Sequence, residues 1–320
     1  MPRFVVLGAG AVGGVIASRL REAGEEVVVI ARGAHGTAIV AHGLRVESPE
    51  GVTTTRLEVA AAAADVAWRA DDLVILAVKG QDTPGALDAL EAAAPSTIAI
   101  ACAQNGVDNE RKALRRFADV YSIVVQLPST HLEDGVVIAH SAPVPGSLDI
   151  GRHPHGVDER AREIAAALTG AGFSSQPRAD VARWKYAKLL RNLGNASQAL
   201  FGTHDGQAGE VHRRAWAEAI DVLAAAGIDA VPEEEYDARH AQLITPRPVP
   251  GREHGGGSSW QSLARGAGTI ESNELNGEIV LLGRLHGVPT PVNERLRRAA
   301  LDAARSGEAP GSRDPAAFLD

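Results

Sequence analysis

The segment WKYAKLLRNLGNASQAL, residues 184–200, carries Lys185, Lys188, Asn192 and Asn195 at spacings of three, four and three. On one α-helix over 179–200 these residues share a narrow stripe, while Leu189, Leu193, Ala196 and Leu200 occupy the adjacent face. A solvated polar face would explain a lysine stripe. Asparagine, however, is a poor helix former, so two of them beside a lysine point to a polar groove. An ammonium among amides can stabilise an oxygen that gains negative charge and then protonate it. Further along, Ser258 and Gln261 have the spacing of a capping box opening a helix at 258–266, and Ser259 adds a hydroxyl where a carboxylate could dock. Glu271 is expected to open a helix over 271–286 whose apolar side holds Leu275, Ile279 and Leu282; an acid in that first turn also suits the helix dipole.

A second group of residues lies near the start of the chain. Gly8-Ala9-Gly10-Ala11-Val12-Gly13 is a GxGxxG directly after the apolar run RFVVL at 3–7 and before a helical pattern through Val15, Ile16 and Leu20. In that context the glycines serve a tight turn, close approach of backbone to a pyrophosphate, and close helix-to-strand packing. The next strand, EEVVVIAR at 25–32, ends in Arg32 rather than in an acidic residue. A guanidinium there can pair with a 2'-phosphate, which favours NADP(H) over NAD. Lys79, after DDLVILAV, and Asn105-Gly106, after TIAIACAQ, end strands at the edge where open α/β sheets bind ligands.

Strands alternating with helices up to about residue 106 predict a parallel doubly wound sheet. VYSIVVQL, VVIAHS and SLDIG then read as a hairpin or meander closing that sheet. Helical patterns dominate from about 157, with candidate helices at 157–170, 179–200, 208–226, 232–244, 258–266, 271–286 and 291–305. The Pro- and Gly-rich stretch 244–259 is expected to be a loop, and the residues from Gly307 onward a loosely held tail.

Composition excludes several classes. With 32 basic and 40 acidic residues the formal charge is −8, and no basic run offers a nucleic-acid footprint. No stretch is apolar enough to predict a membrane span. Cys102 is the only cysteine, which rules out an internal disulfide and fits a reducing cytoplasm; within its strand it reads as a small buried hydrophobe. His153-Pro154-His155 lacks companion ligands and reads as a loop, so no metal is expected. A GxSxG motif for a serine hydrolase is absent.

Taken in order, GAGAVGG, Arg32, VKGQDT around Lys79, QNGVDNE around Asn105, W-KYAKLLRN around Lys188, SSWQSLARG, and IESNELNGEIVLLGRLHGVPTP around Glu271 resemble the ketopantoate reductase family over nearly the whole chain. The resemblance implies a 6-phosphogluconate-dehydrogenase-like α/β fold: an N-terminal Rossmann-type parallel sheet binding NADPH at 1–176, an all-α substrate and catalytic domain at 177–320, and a cleft between them. It makes Lys188 the catalytic lysine, with Asn192, Asn195, Asn105 and Ser259 facing the substrate. Glu271 is implied at the junction of substrate and cofactor, while Lys79 and Asn105 touch the dinucleotide. The implied reaction is reduction of 2-dehydropantoate to pantoate in coenzyme A biosynthesis. A reductase of another 2-keto acid, or a non-catalytic NADP-binding sensor, are the alternatives, and the helical half is the candidate homodimer surface. Three positions depart from the family pattern: Ala196 stands where a second asparagine is usual, with Asn195 one residue earlier, and Asp205 and Gly256 replace asparagines.

Overall fold

The computed structural model describes residues 3–203, 205–241, 243–252 and 256–319. The first half runs β1 (Phe4–Leu7), α1 (Ala11–Glu22), β2 (Val27–Ile30), α2 (Gly33–His42), β3 (Leu44–Ser48), β4 (Gly51–Thr55), β5 (Glu58–Ala60), β6 (Leu73–Leu76), α3 (Thr83–Ala93), β7 (Ala99–Cys102), α4 (Asn109–Leu114), β8 (Val120–Gln126), β9 (Ser129–Glu133), β10 (Val136–Ala139), β11 (Ser147–Arg152) and α5 (Glu159–Gly170). There follow α6 (Val181–Asn192), α7 (Gly194–Phe201), α8 (Gly206–Ala225), α9 (Glu233–His240), α10 (Ser258–Ala264), α11 (Asn276–His286) and α12 (Pro291–Ser306).

The central sheet has seven strands in the order β11-β8-β7-β6-β1-β2-β5, parallel except for β11 against β8. FVVL, VVVI, LVIL and AIAC of β1, β2, β6 and β7 are buried at every position, as expected of parallel strands covered on both faces. Cys102 lies fully buried at the end of β7. One core layer packs α1 and α5 against one face, and Leu87, Leu90, Ala113 and Phe117 cover the other. The strand order reverses at β1, which places the ligand crevice at its carboxyl end.

The expected meander is only partly correct. β8 and β11 do extend the central sheet, but the β9–β10 hairpin leaves it and joins β3 and β4 in a separate four-stranded sheet, β4-β3-β10-β9. β10 and α1 pack together, with Val137 and Leu44 meeting Gly14, so this second sheet braces the helix that follows the glycine loop.

Residues 1–104, 109–184 and 233–253 form one compact unit, and 105–108, 185–232 and 254–320 form the other. The excursion 233–253 is tied to the sheet by charge: both oxygens of the fully buried Asp149 accept from Arg239, at 2.6 and 2.9 Å, and one also accepts from Arg178 at 2.6 Å. Arg178 in turn stacks on Trp184 at 3.7 Å. In the second unit, Leu189, Leu190, Leu193, Val222, Leu275 and Ile279 form one core, and α7, α8, α12 and Phe318 form another.

The tail proves to be docked, not loose. Gly311 and Arg313 donate backbone hydrogen bonds to Ala199 and Leu200, and Phe318 is buried with its ring 5.0 Å from that of Phe201. Of the expected loop 244–259, residues 253–255 lie outside the described residues.

Candidate active site

In the first unit Gly8 and Gly13 meet the turn and packing demands read from the motif. Gly8 has φ +102, where a side chain is strained and would press on Ala77. A Cβ on Gly13 would strike the Gly8 carbonyl, so helix and loop approach this closely only without one. Gly10 differs, because its Cβ direction is open except for His131 Nδ1 at 3.9 Å. It is also the N-cap of α1, with no side-chain cap and no acidic residue in the first turn. Amides left without a capping side chain, together with an open approach, suit the diphosphate of a dinucleotide.

Arg32 is exposed at the N-cap of α2, directly beyond β2. Lys79 is half-buried three residues beyond β6. A buried polar brace fixes its surroundings: Gln104 donates to Val78 O and to Thr83 Oγ1, each at 2.8 Å, and Thr83 donates to Asn109 Oδ1 at 2.9 Å. The motifs around Lys79 and Asn105 contain all of these residues, but only the fold shows them joined.

The second unit gathers the other expected residues. Lys188 and Asn192 stand one turn apart on α6, and Asn192 donates to Asn105 Oδ1 at 3.0 Å. Next to Asn105, Gly106 takes φ +81 against the Glu274 carbonyl, which seats this segment on the turn that carries Glu271. Lys188 is half-buried; burial pushes its pKa down from the ordinary 10.5 to about 8, helped by the positive charges of Arg191 and Lys185. Lys185 is itself buried.

Three local expectations need correction. The helix over 179–200 is interrupted: Leu193 N–H bonds back to Leu190 O, three residues earlier, and a new helix starts at Gly194. Asn276 Nδ2 donates to the Leu193 carbonyl at 3.4 Å, which partly satisfies the break. After the break Ala196 is buried in the helical core, whereas Asn195 Oδ1 lies 3.7 Å from the Cβ direction of Gly257. Secondly, the cap of α10 is Gly257 rather than Ser258, without a side-chain bond; Gln261 instead donates to Gly256 O at 3.2 Å. The segment leading into α10 is held by Gln198 Oε1, which accepts from Gly257 N–H at 2.9 Å and which sequence reasoning missed. Ser259 is buried in the first turn. Thirdly, Glu271 does not open a helix. It sits buried in a turn, its carbonyl accepting from Glu274 and Leu275, and α11 begins at Asn276. Arg265 feels the Glu271 charge.

The departures from the family pattern also find physical reasons. Gly256 has no room for a side chain, since Trp260 Cβ and Cδ1 would lie 2.6 and 2.9 Å from its Cβ. Asp205 is exposed at the N-cap of α8 and pairs with Thr203.

Residues 4–155 match the family described as Ketopantoate reductase PanE/ApbA, and residues 180–301 match Ketopantoate reductase PanE/ApbA C terminal. The chain belongs to the ketopantoate reductase family. It is similar to the 2-dehydropantoate 2-reductase of Pyrococcus horikoshii, with 26% identity covering 91% of this chain and 94% of the relative. A PanE/ApbA family ketopantoate reductase from Ralstonia eutropha JMP134 has a solved structure with a TM-score of 0.79 and 27% identity, covering 95% of this chain and 99% of that one. D-mandelate dehydrogenase, solved with NADH and anilino(oxo)acetate, shares the fold at a TM-score of 0.82 and 20% identity, with 95% and 99% coverage. The chain is therefore an oxidoreductase of α/β architecture with a helical C-terminal part.

Proposed function

We propose that this ketopantoate reductase family member reduces 2-dehydropantoate to pantoate with NADPH, in the route to pantothenate and coenzyme A. Residues 1–176 serve the dinucleotide and 177–320 the keto acid. The observation that carries the reading is Lys188, half-buried with its pKa lowered to about 8, one turn from an asparagine already bonded to Asn105.

A nicotinamide dinucleotide fits the glycine loop, whose open Gly10 face and uncapped α1 amides match a diphosphate. Gly8 to Gly13 would hold it there, Arg32 would take a 2'-phosphate, and Lys79, Asn105 and Glu271 would complete its contacts. When bound, the cofactor supplies a hydride to the 2-keto carbon. Lys188 stabilises the charge that develops on the carbonyl oxygen and donates the proton that completes the alcohol. Asn192, Asn195 and Asn105 orient the substrate, Ser259 receives its carboxylate, and Glu271 steadies the ammonium. A lysine that is still charged at neutral pH yet easily deprotonated suits both tasks.

NADPH oxidation measured with 2-dehydropantoate and a panel of other 2-keto acids tests the reading. Highest kcat/KM on 2-dehydropantoate is expected, and preference for another keto acid, or no turnover at all, would refute it.

A further inference from the structure

His35 and His131 were used by none of the motifs, yet both stand at the glycine loop. His35, on α2, faces two backbone groups: its Nε2 is 2.8 Å from Ala9 O, and its Nδ1 accepts from Gly135 N–H at 2.9 Å. Those partners fix the tautomer, because a ring nitrogen facing an amide proton must offer its lone pair and one facing a carbonyl must carry the hydrogen. His35 thereby joins the glycine loop, α2 and the β9–β10 turn. His131, on β9, packs its ring against that of His35, with centroids 4.1 Å apart and an interplanar angle of 48°. Its Nδ1 lies 3.9 Å from the Cβ direction of Gly10, the side of the loop otherwise open.

Asp134, exposed in the hairpin turn, brings a ligand atom within 4.8 Å of nitrogens of both histidines, a grouping that could suggest a cation site. His35 argues against it: neither of its nitrogens can give a lone pair to a metal without losing the Ala9 or the Gly135 bond.

We propose that His131 is a contact for the cofactor diphosphate at Gly10, and that His35 is the positioning residue that holds both the imidazole and the loop for it. An imidazole N–H beside backbone amides adds a side-chain donor to a phosphate cradle otherwise made of main chain. This inference rests on the proposed dinucleotide reading and deepens it.

The test is equilibrium binding of NADPH, NADH and adenosine 2'-monophosphate to the full-length wild type and to His131→Phe, His35→Phe, His35→Gln and Asp134→Asn. His131→Phe should weaken NADPH and NADH alike by about tenfold to a hundredfold, the worth of one hydrogen bond to a charged group. Adenosine 2'-monophosphate lacks the diphosphate, so its affinity should not change. His35→Phe keeps a ring for stacking but loses both hydrogen bonds and should show the same selective loss, and His35→Gln, with a donor and an acceptor, should recover part of it. Asp134→Asn should stay within about twofold, as for an exposed charge. Unchanged NADPH affinity in His131→Phe, or equal loss for adenosine 2'-monophosphate, overturns the proposal while the dinucleotide reading stands. Loss in Asp134→Asn as large as in His131→Phe, restored by added zinc, overturns it in favour of a metal. Absence of NADPH binding in the wild type overturns both readings.

Discussion

In the proposed reaction Lys188 would carry the chemical weight, and its environment predicts a pH signature. Burial and two cationic neighbours favour the neutral amine, so the proton leaves near pH 8 rather than 10.5. Since the charged form is the proton donor, kcat/KM for reduction should be high below that value and fall as pH rises through about 8; a profile flat to pH 10 would contradict the assignment. Lys188→Ala should lower kcat by about a hundredfold to ten-thousandfold, the usual reach of general acid catalysis, with NADPH affinity retained. Arg32→Ala should cut the NADPH-over-NADH preference by about tenfold to a hundredfold, read from the ratio of kcat/KM values. Arg32 stood out in the sequence because it ends a strand and Lys188 because it belongs to a stripe at helical spacing, but only the family resemblance set Lys188 apart from Lys185. Gln198 was not, since nothing local says that its amide meets Gly257 from another helix.

At the scale of elements, the misreadings share a cause. β3 and β4, LRVES and GVTTT, form an outlying sheet in which four of the five β4 positions are exposed, so no apolar pattern announces them. The turn Glu133-Asp134-Gly135 was legible as a turn, but which sheet its hairpin joins depends on α1, far away in sequence. Likewise the periodicity of Leu275, Ile279 and Leu282 extrapolated back to Glu271, whereas the helix starts only where Asn276 reaches the Leu193 carbonyl and Asn293. The buried charge at Asp149 was also invisible to pattern. Burial alone would raise its pKa, but hydrogen bonds and charge from Arg239 and Arg178 outweigh that and hold it below the ordinary 3.8. A depressed carboxylate stabilises the fold above its unfolded pKa and loses that contribution as pH falls through the folded value. Asp149→Ala strands two arginines and should cost about 3–5 kcal/mol in urea unfolding at neutral pH, with a smaller further loss below pH 3.8 than the wild type shows; equal stability of the two proteins would show that the network contributes nothing.

For the whole molecule, the order of motifs along the chain makes the family legible in the sequence, and 4–155 with 180–301 match it. What the order could not show is that 233–253 clusters with the sheet-bearing unit and that 105–108 clusters with the helices, because both depend on tertiary contacts. Within the helical unit, Ile220 on α8 and Leu281 and Leu285 on α11 are 45%, 46% and 69% exposed, on helices that pack together. A homodimer through the helical half, as expected from the sequence, would bury them. Sedimentation should give twice the 33.3 kDa chain mass for the wild type and the single-chain mass for Leu281→Glu/Leu285→Glu; a monomeric wild type would remove this part of the account.

The most direct test of the central claim is NADPH oxidation with 2-dehydropantoate by the wild type and Lys188→Ala side by side. The wild type should turn over 2-dehydropantoate, and Lys188→Ala should lose at least about a hundredfold of that rate while still binding NADPH. Equal rates in the two proteins, or no turnover in a wild type that binds NADPH tightly, would contradict it.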